Sequence, residues 1–346
     1  MKALLKLKAG PGHLGLHDIP EPVPGPGEVV LAVSYAGICG TDLHIVADEF
    51  PYWPPVVLGH EFTGRVTKTG PGTDPGLTGT RVVCEPHARA CGSCYLCRRG
   101  HIQQCSAKRS PGWGTNGAFA SQLAVPANLL HRVPDELSDR VAVLTEPMAV
   151  VLTALERAPV SPGDTVLVTG PGPVGILAAL ATRFAGARDV IVLGRRESGR
   201  LDLAARLGFT TASTADQART LVGEATAARG ADLLIETSGA AEAIDLGTDL
   251  LRIRGRIAAI GLSGRQEIPF AWDRAVRKSL GFAMSTSSAY TAWDPALFVL
   301  SRLAGLAGEL VTEFTLDRWA DAFAAVGQRS VVKAAFNIGE RKDEQS

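Results

Sequence analysis

The chain lacks a surplus of either charge, a long apolar run and any internal repeat. Its 346 residues hold 35 basic and 35 acidic side chains, a formal net charge of zero. No overall field therefore draws it to nucleic acid or to anionic lipid. The most apolar later stretch, GILAALATRFAGA, contains an arginine and is shorter than the roughly 20 residues that a membrane span needs. At the N-terminus, Lys6 and Lys8 interrupt the chain before an apolar segment long enough for a secretion signal can develop. The absence of a fixed period or a low-complexity tract excludes solenoids and arrays. Cysteine is scarce as well, yet four of the six cysteines fall between positions 91 and 105. In a cytoplasmic chain, the location expected here, such a cluster points to metal or catalysis and away from disulfides.

What is present suits a folded enzyme-sized protein. A hydrophobic content of 46% with 20% charged residues gives no compositional reason for disorder. The length exceeds the roughly 250 to 300 residues at which single cores stop growing, so two domains are expected. Residues 1–150 read as short β-rich runs, such as EVVLAVSYAGI and GTRVVCEP, between Gly- and Pro-rich loops. Residues 151–285 alternate buried strands with helices: TVLVTG, a helix through ILAALATRFAG, DVIVLG, a helix through RLDLAARLG, then DLLIETSG and RIAAIGL. This is the pattern of βαβ units and a parallel sheet. Within 286–346, AWDPALFVLSRLAG and LDRWADAFAAVG read as amphipathic helices that return to the first domain, and the tail GERKDEQS reads as solvated. The expected architecture is an α/β chain of two domains with a cleft between them.

Two local motifs carry chemistry. Cys91, Cys94, Cys97 and Cys105 are spaced so that four thiolates on a polar loop close a tetrahedron around one Zn²⁺, leaving no open position. Such a zinc holds a loop and performs no chemistry. GPGPVG at residues 170–175 follows a strand and opens a helix, the context of a dinucleotide fingerprint. Gly170 makes the tight turn, Gly172 admits the pyrophosphate, Gly175 packs helix on strand, and Pro173 and Val174 begin the helix whose N–H groups face the phosphates. Where an acid would hold the adenosine ribose of NAD, the next strand ends on Gly194, followed by Arg195 and Arg196. A glycine with adjacent guanidiniums accommodates a 2′-phosphate, so NADP(H) is expected over NAD(H). ETSG and IGLSG end later parallel strands, which places Thr237, Ser238, Gly261 and Leu262 at the cofactor pocket.

A third signal is dispersed: CGTDLH at 39–44, GHE at 59–61 and TEP at 145–147. Taken in order with the cysteine loop, GPGPVG and the stretch GAFASQLAVPANLLHRVPD, the chain resembles the zinc-containing medium-chain dehydrogenase/reductase family from its N-terminus to KAAFNIG. It is most similar to the sorbitol, polyol and threonine dehydrogenase branch, because Glu146 stands where simple alcohol dehydrogenases carry a cysteine ligand. The resemblance implies a GroES-like catalytic domain and a Rossmann domain. It implies Cys39 and His60 as catalytic zinc ligands, with Glu61 and Glu146 sharing the carboxylate role as direct ligand or partner of the bound water. Thr41 and His44 would relay the substrate proton, Asp42 would support a zinc ligand, and relatives are commonly dimers or tetramers. Three protein ligands leave one position open, where Zn²⁺ lowers the pKa of a bound hydroxyl from about 16 toward 7. The expected reaction is oxidation of a secondary alcohol by hydride transfer to NAD(P). A polyol, cyclitol or aminocyclitol substrate is expected, with a 3-hydroxy amino acid as the alternative. A zinc-free reductase on the same fold would lack Cys39, His60 and the cysteine loop, and a non-catalytic binding protein would have no use for the relay.

Overall fold

All five residues of the strand Thr165–Thr169 are buried. An apolar, β-branched run with no polar alternation belongs in a parallel sheet covered on both faces. Strand Ala231–Glu236 is likewise buried throughout, and its two acids are satisfied at its ends. Asp232 accepts from Thr165 N at 2.9 Å and from Arg252 Nε at 2.6 Å. The computed structural model describes residues 1–195 and 199–339. It places these strands in a six-stranded parallel sheet whose order across the sheet is Thr210–Ala212, Asp189–Leu193, Thr165–Thr169, Ala231–Glu236, Leu251–Ala259, Gly281–Met284. Numbered along the chain, that order is 3-2-1-4-5-6, the doubly wound arrangement whose ligand crevice lies at the carboxyl ends of the strands where the order reverses. The helix Pro173–Phe184 is buried from Gly175 to Thr182 and packs on the central strands. The core on one face gathers Leu167, Ile191, Val222, Leu234 and Ile257.

The other unit is β-rich. Its main sheet runs Val311–Phe314, Lys333–Asn337, Glu28–Gly37, Glu61–Thr69, Arg81–Cys84, Leu130–Arg132, with Gln122–Pro126 also paired to Glu28–Gly37. All contacts are antiparallel except that of Val311–Phe314 with Lys333–Asn337. A three-stranded sheet of Leu14–Asp18, Lys2–Lys6 and Val56–Val57 adjoins it in sequence. Phe336 and Phe119 are fully buried and meet edge to face, with centroids 4.9 Å apart. These are the GroES-like and Rossmann folds that the sequence implied.

The units are Met1–Glu146 with Ala289–Gln328 and Lys333–Ser346, and Pro147–Ser288 with Arg329–Val332. The division falls inside the helix Thr145–Arg157, a few residues before the boundary read at 150, because one continuous helix carries the chain out of the β-rich unit. The 286–346 segment is split in turn: four residues, Arg329–Val332, group with the parallel sheet and the chain on either side does not. Among the elements that went unread in the sequence are the strand Thr210–Ala212, the helices Ala215–Thr226, Ala241–Leu250 and Trp272–Arg277, and the edge strand Gly281–Met284. The first strand has three residues and the last is half exposed, so neither presents a run of buried apolar side chains. Among the described residues no helix is long and apolar enough to cross a membrane.

Candidate metal centres and dinucleotide pocket

The strand Glu28–Gly37 sets the first site. Gly37 pairs with Glu61 on one side and with Ala335 on the other, so the side chains of Glu61 and of the nearby Lys333 converge over it. A Cβ on Gly37 would meet Glu61 Oε2 at 2.5 Å and Lys333 Cε at 2.9 Å. The missing side chain is therefore what lets this ion pair close. Both partners are 2% exposed and their charged groups touch, while Lys333 Nζ also donates to Ile38 O at 3.0 Å. Two residues beyond Gly37, Cys39 caps the helix Gly40–Val46, and Asp42 Oδ2 accepts from Cys39 N at 2.8 Å. The other oxygen of Asp42 lies 3.8 Å from His60 Nδ1. Ligand atoms of Cys39, His60 and Glu61 all lie within 4.8 Å of one another.

Glu146, in the first turn of Thr145–Arg157, is not part of that triad but feels its field. Burial, then the Glu61 carboxylate, push the Glu146 carboxyl up to about 7. Burial first, and then Glu61, Asp42 and Glu146, push the Cys39 thiol up to about 12 against the opposing field of Lys333. Asp42 is also raised, mainly by burial. Burial opposes the Lys333 ammonium, but Glu61, Cys39 and Glu146 outweigh it and raise Lys333 above its usual range. Four acidic groups thus surround one fixed ammonium, and the buried atoms His60 Nδ1 and Asp42 Oδ1 have no hydrogen-bond partner. A dication among Cys39, His60 and Glu61 supplies the charge such a donor set lacks, so these residues fit a metal ion.

The relay candidates share the short helix beside this cluster. Thr41 Oγ1 is 3.7 Å from Cys39 Sγ, and His44, 59% exposed, meets Glu49 at 2.8 Å. Trp113 stands edge-on to the His60 ring with centroids 5.0 Å apart. Lys333 and Gly37 were not singled out in the sequence, because a lysine and a glycine inside strands carry no spacing signal. Cys84 is buried in its strand, with Sγ 3.5 Å from Glu85 O. His87 and His131 are buried around Glu85. His131 lies 3.3 Å from that carboxylate and 2.7 Å from Asp294, and it belongs to neither metal-ligand cluster.

The four-cysteine loop obeys different physics. All four sulfurs lie within 4.8 Å of one another, with Cys91 to Cys97 at 3.9 Å and Cys105 to Cys91 at 3.6 Å. A tetrahedron with Zn–S bonds of about 2.3 Å needs sulfurs about 3.8 Å apart, so the loop fits zinc. Backbone N–H groups of Cys94 and Cys97 approach the preceding sulfurs at 3.4 and 3.5 Å. Hydrogen bonds from Ser93 and Cys94 pull the Cys91 thiol down to about 6, while desolvation and the neighbouring thiols Cys94 and Cys105 push Cys97 up to about 12.

In the parallel-sheet unit, Gly170 turns the chain at φ 93°, and Pro173 opens the following helix behind Gly172. A Cβ at Gly172 would meet nothing within 4 Å, whereas one at Gly175 would strike Gly170 O. Gly172 faces open space, and Gly175 packs against the turn itself. Gly170, Gly172, Gly194, Arg195, Thr237 and Ser238 line one cavity of about 1050 Å³. Pro173, Val174, Gly175, Gly261 and Leu262 are not among its lining residues, and Leu262 is 84% exposed. Arg196 lies outside the described residues. Glu236, the first residue of ETSG, accepts from Ser238 N at 2.8 Å and Gly239 N at 3.0 Å, which shapes the turn presenting Thr237 and Ser238. Gly194 has a packing reason of its own, since a Cβ there would meet the Pro171 ring at 2.5 Å. Its lack of an acid is thus no independent sign of the cofactor.

Residues 25–135 match the family description "Alcohol dehydrogenase GroES-like domain" and 173–302 match "Zinc-binding dehydrogenase". The chain is 36% identical over 336 residues to a sorbitol dehydrogenase from Halalkalibacterium halodurans, covering 96% of this chain and 98% of that protein. It is 42% identical over 287 residues to an L-threonine 3-dehydrogenase from Streptomyces avermitilis, covering 80% and 81%. Among solved structures it is similar to an alcohol dehydrogenase from Thermus sp. ATN1, with a TM-score of 0.87, 28% identity and coverage of 97% and 99%.

Gly37→Ala tests the packing of the first site. It is expected to push Glu61 and Lys333 apart, costing about 1–3 kcal/mol of stability as overpacking does, with a large loss of turnover. An unchanged melting temperature together with unchanged kcat would refute the tight approach.

Proposed function

This chain belongs to the zinc-containing medium-chain dehydrogenase/reductase family of alcohol dehydrogenases, and we propose that it oxidises a secondary alcohol of the polyol, cyclitol or aminocyclitol type to a ketone, with NADP(H) preferred over NAD(H). The observation that carries the reading is the buried convergence of Cys39, His60 and Glu61 with the Glu146 carboxyl in their field. Similarity to a sorbitol dehydrogenase along 96% of the chain supports the polyol class. The higher identity to a threonine dehydrogenase over 80% of it keeps a 3-hydroxy amino acid as the second reading.

In this reading Cys39, His60 and Glu61 are the direct ligands, and Glu146 stands on the substrate side. A zinc ion held by these residues would polarise the substrate hydroxyl, and a bound dinucleotide would supply the hydride acceptor. Asp42 Oδ1 faces His60 Nδ1 at 3.8 Å without a hydrogen bond, so its carboxylate supports the ring electrostatically, and the other ring nitrogen serves the metal. Thr41 takes the hydroxyl proton, and the exposed His44, three residues along the same helix, delivers it to water. Cys91, Cys94, Cys97 and Cys105 hold the second zinc as a structural clip. Arg195 contributes to recognition of the 2′-phosphate. The β-rich unit carries the metal chemistry and the parallel-sheet unit the dinucleotide. A cytoplasmic location belongs to the same reading, since metal-binding thiols must stay reduced.

The edge strand Gly281–Met284 leaves Phe282 and Met284 exposed at 40% and 61%. We assign this edge to a homo-oligomer contact.

Elemental analysis is expected to find two zincs per wild-type chain. Cys39→Ser should retain one zinc and the fold but no turnover, and Cys91→Ser should lose the other zinc chiefly at the expense of stability. Equal loss of folding in both variants would contradict this division of labour. In steady-state kinetics, polyols with NADP should give a higher kcat/KM than L-threonine or NAD. Arg195→Ala should move the cofactor ratio toward NAD by about tenfold. A preference for threonine, or a ratio that does not move, would overturn the respective part. Phe282→Glu should reduce the mass seen by light scattering to that of a smaller species, and an unaltered mass would reject the edge assignment.

A further inference from the structure

The dinucleotide cavity carries more positive charge than Arg195 accounts for. Arg200, Arg219 and Arg329 also line it. Arg219 is committed elsewhere, to Asp249 at 3.3 Å and Asp216 at 4.0 Å. Among the described residues neither Arg200 nor Arg329 forms an ion pair with a carboxylate. Arg200 Nε donates to Val331 O at 2.8 Å, which ties its guanidinium to the Arg329–Val332 segment. Burial, and then the positive field of Arg329, pull Arg200 below its usual range, so the two guanidiniums feel each other with no described anion between them.

The backbone offers a second, independent observation. Arg329 has φ 58°, the left-handed region that costs a residue with a Cβ about 1 kcal/mol or more. Eight other described non-glycine residues share this region, and of the nine only Arg329 lines the cavity. It falls within the four residues that leave the β-rich unit to group with the parallel sheet. Of the hydroxyls on the same wall, Ser213 Oγ donates to Gln217 Oε1 at 3.0 Å, whereas Thr214 Oγ1 accepts from Gln217 N at 3.2 Å and keeps its own proton. Hydroxyls are neutral, so the guanidiniums are the groups that can neutralise an incoming anion.

We propose that Arg200 and Arg329 form a two-guanidinium clamp for the 2′-phosphate of the adenosine half of NADP(H). The clamp rests on the NADP reading above and adds to it the groups that neutralise the dianion. A phosphate monoester carries close to two negative charges and three acceptor oxygens. It can satisfy both forks at once, and a single ribose hydroxyl cannot.

The test is calorimetric titration of the full chain with adenosine 2′,5′-bisphosphate and with 5′-AMP, which differ only in the 2′-phosphate. Arg329→Gly removes the guanidinium at a backbone angle that glycine prefers, so its melting temperature should be unchanged or raised. Arg200→Met keeps most of the apolar stem. Each variant should weaken the bisphosphate about tenfold and 5′-AMP by less than about twofold. Equal weakening of both ligands would assign the pair to the 5′-phosphate and overturn the clamp. Wild type that prefers the bisphosphate, with variants that do likewise to the same degree, would overturn the clamp and leave the NADP reading standing. Wild type that binds both ligands equally would overturn the two together.

Discussion

The buried charge around Cys39 is the constraint on which the rest of the metal site depends. A thiol, three carboxyls and one imidazole are gathered there, Asp42, His60 and Glu61 buried and Cys39 and Glu146 half-buried, and among the described residues the ammonium in contact with them is that of Lys333. Desolvation penalises every anion in such a place. The thiol and the Glu146 carboxyl respond by holding their protons, at about 12 and about 7. A dication reverses that penalty, and the absence of a side chain at Gly37 allows the one ammonium to reach Glu61. Metal affinity, strand register and the Glu61–Lys333 contact therefore stand or fall together.

The four-cysteine loop solves the same problem locally. Its sulfurs come from fifteen consecutive positions, and N–H groups of its own turns lower the Cys91 thiol without help from a distant cation. One metal set is built by chain-local geometry near solvent. The other is assembled by a sheet that pairs residues from opposite ends of the sequence. Loss of the first should loosen a loop, while loss of the second leaves uncompensated charge inside a core.

In the parallel-sheet unit the glycines divide similarly between packing and ligand space. Gly175 and Gly194 are held by their neighbours, Gly170 O and the Pro171 ring, and Gly172 opens onto the cavity side. The proposed NADP preference accordingly rests on the guanidiniums that line the cavity and not on the missing acid at Gly194. Two of those guanidiniums are joined by the backbone of a four-residue segment that no strand or helix pattern marks.

By itself the sequence determined the parallel sheet, the glycine turn, the zinc loop and the family. Each is written in a short window: a buried run such as TVLVT, a turn such as GPGPVG, or four cysteines at ligand spacing. Cys39, His60, Glu61 and Glu146 were legible only through the ordered set of motifs, because no window contains them all. Tertiary structure alone decided that Lys333 faces Glu61, that Gly37 makes room for the pair, that Gly194 is required by Pro171, and that Arg329 joins the nucleotide cavity. The physical reason is common to all four. Each depends on a register or a close approach between residues far apart in the chain, and such contacts leave no periodicity or spacing to read.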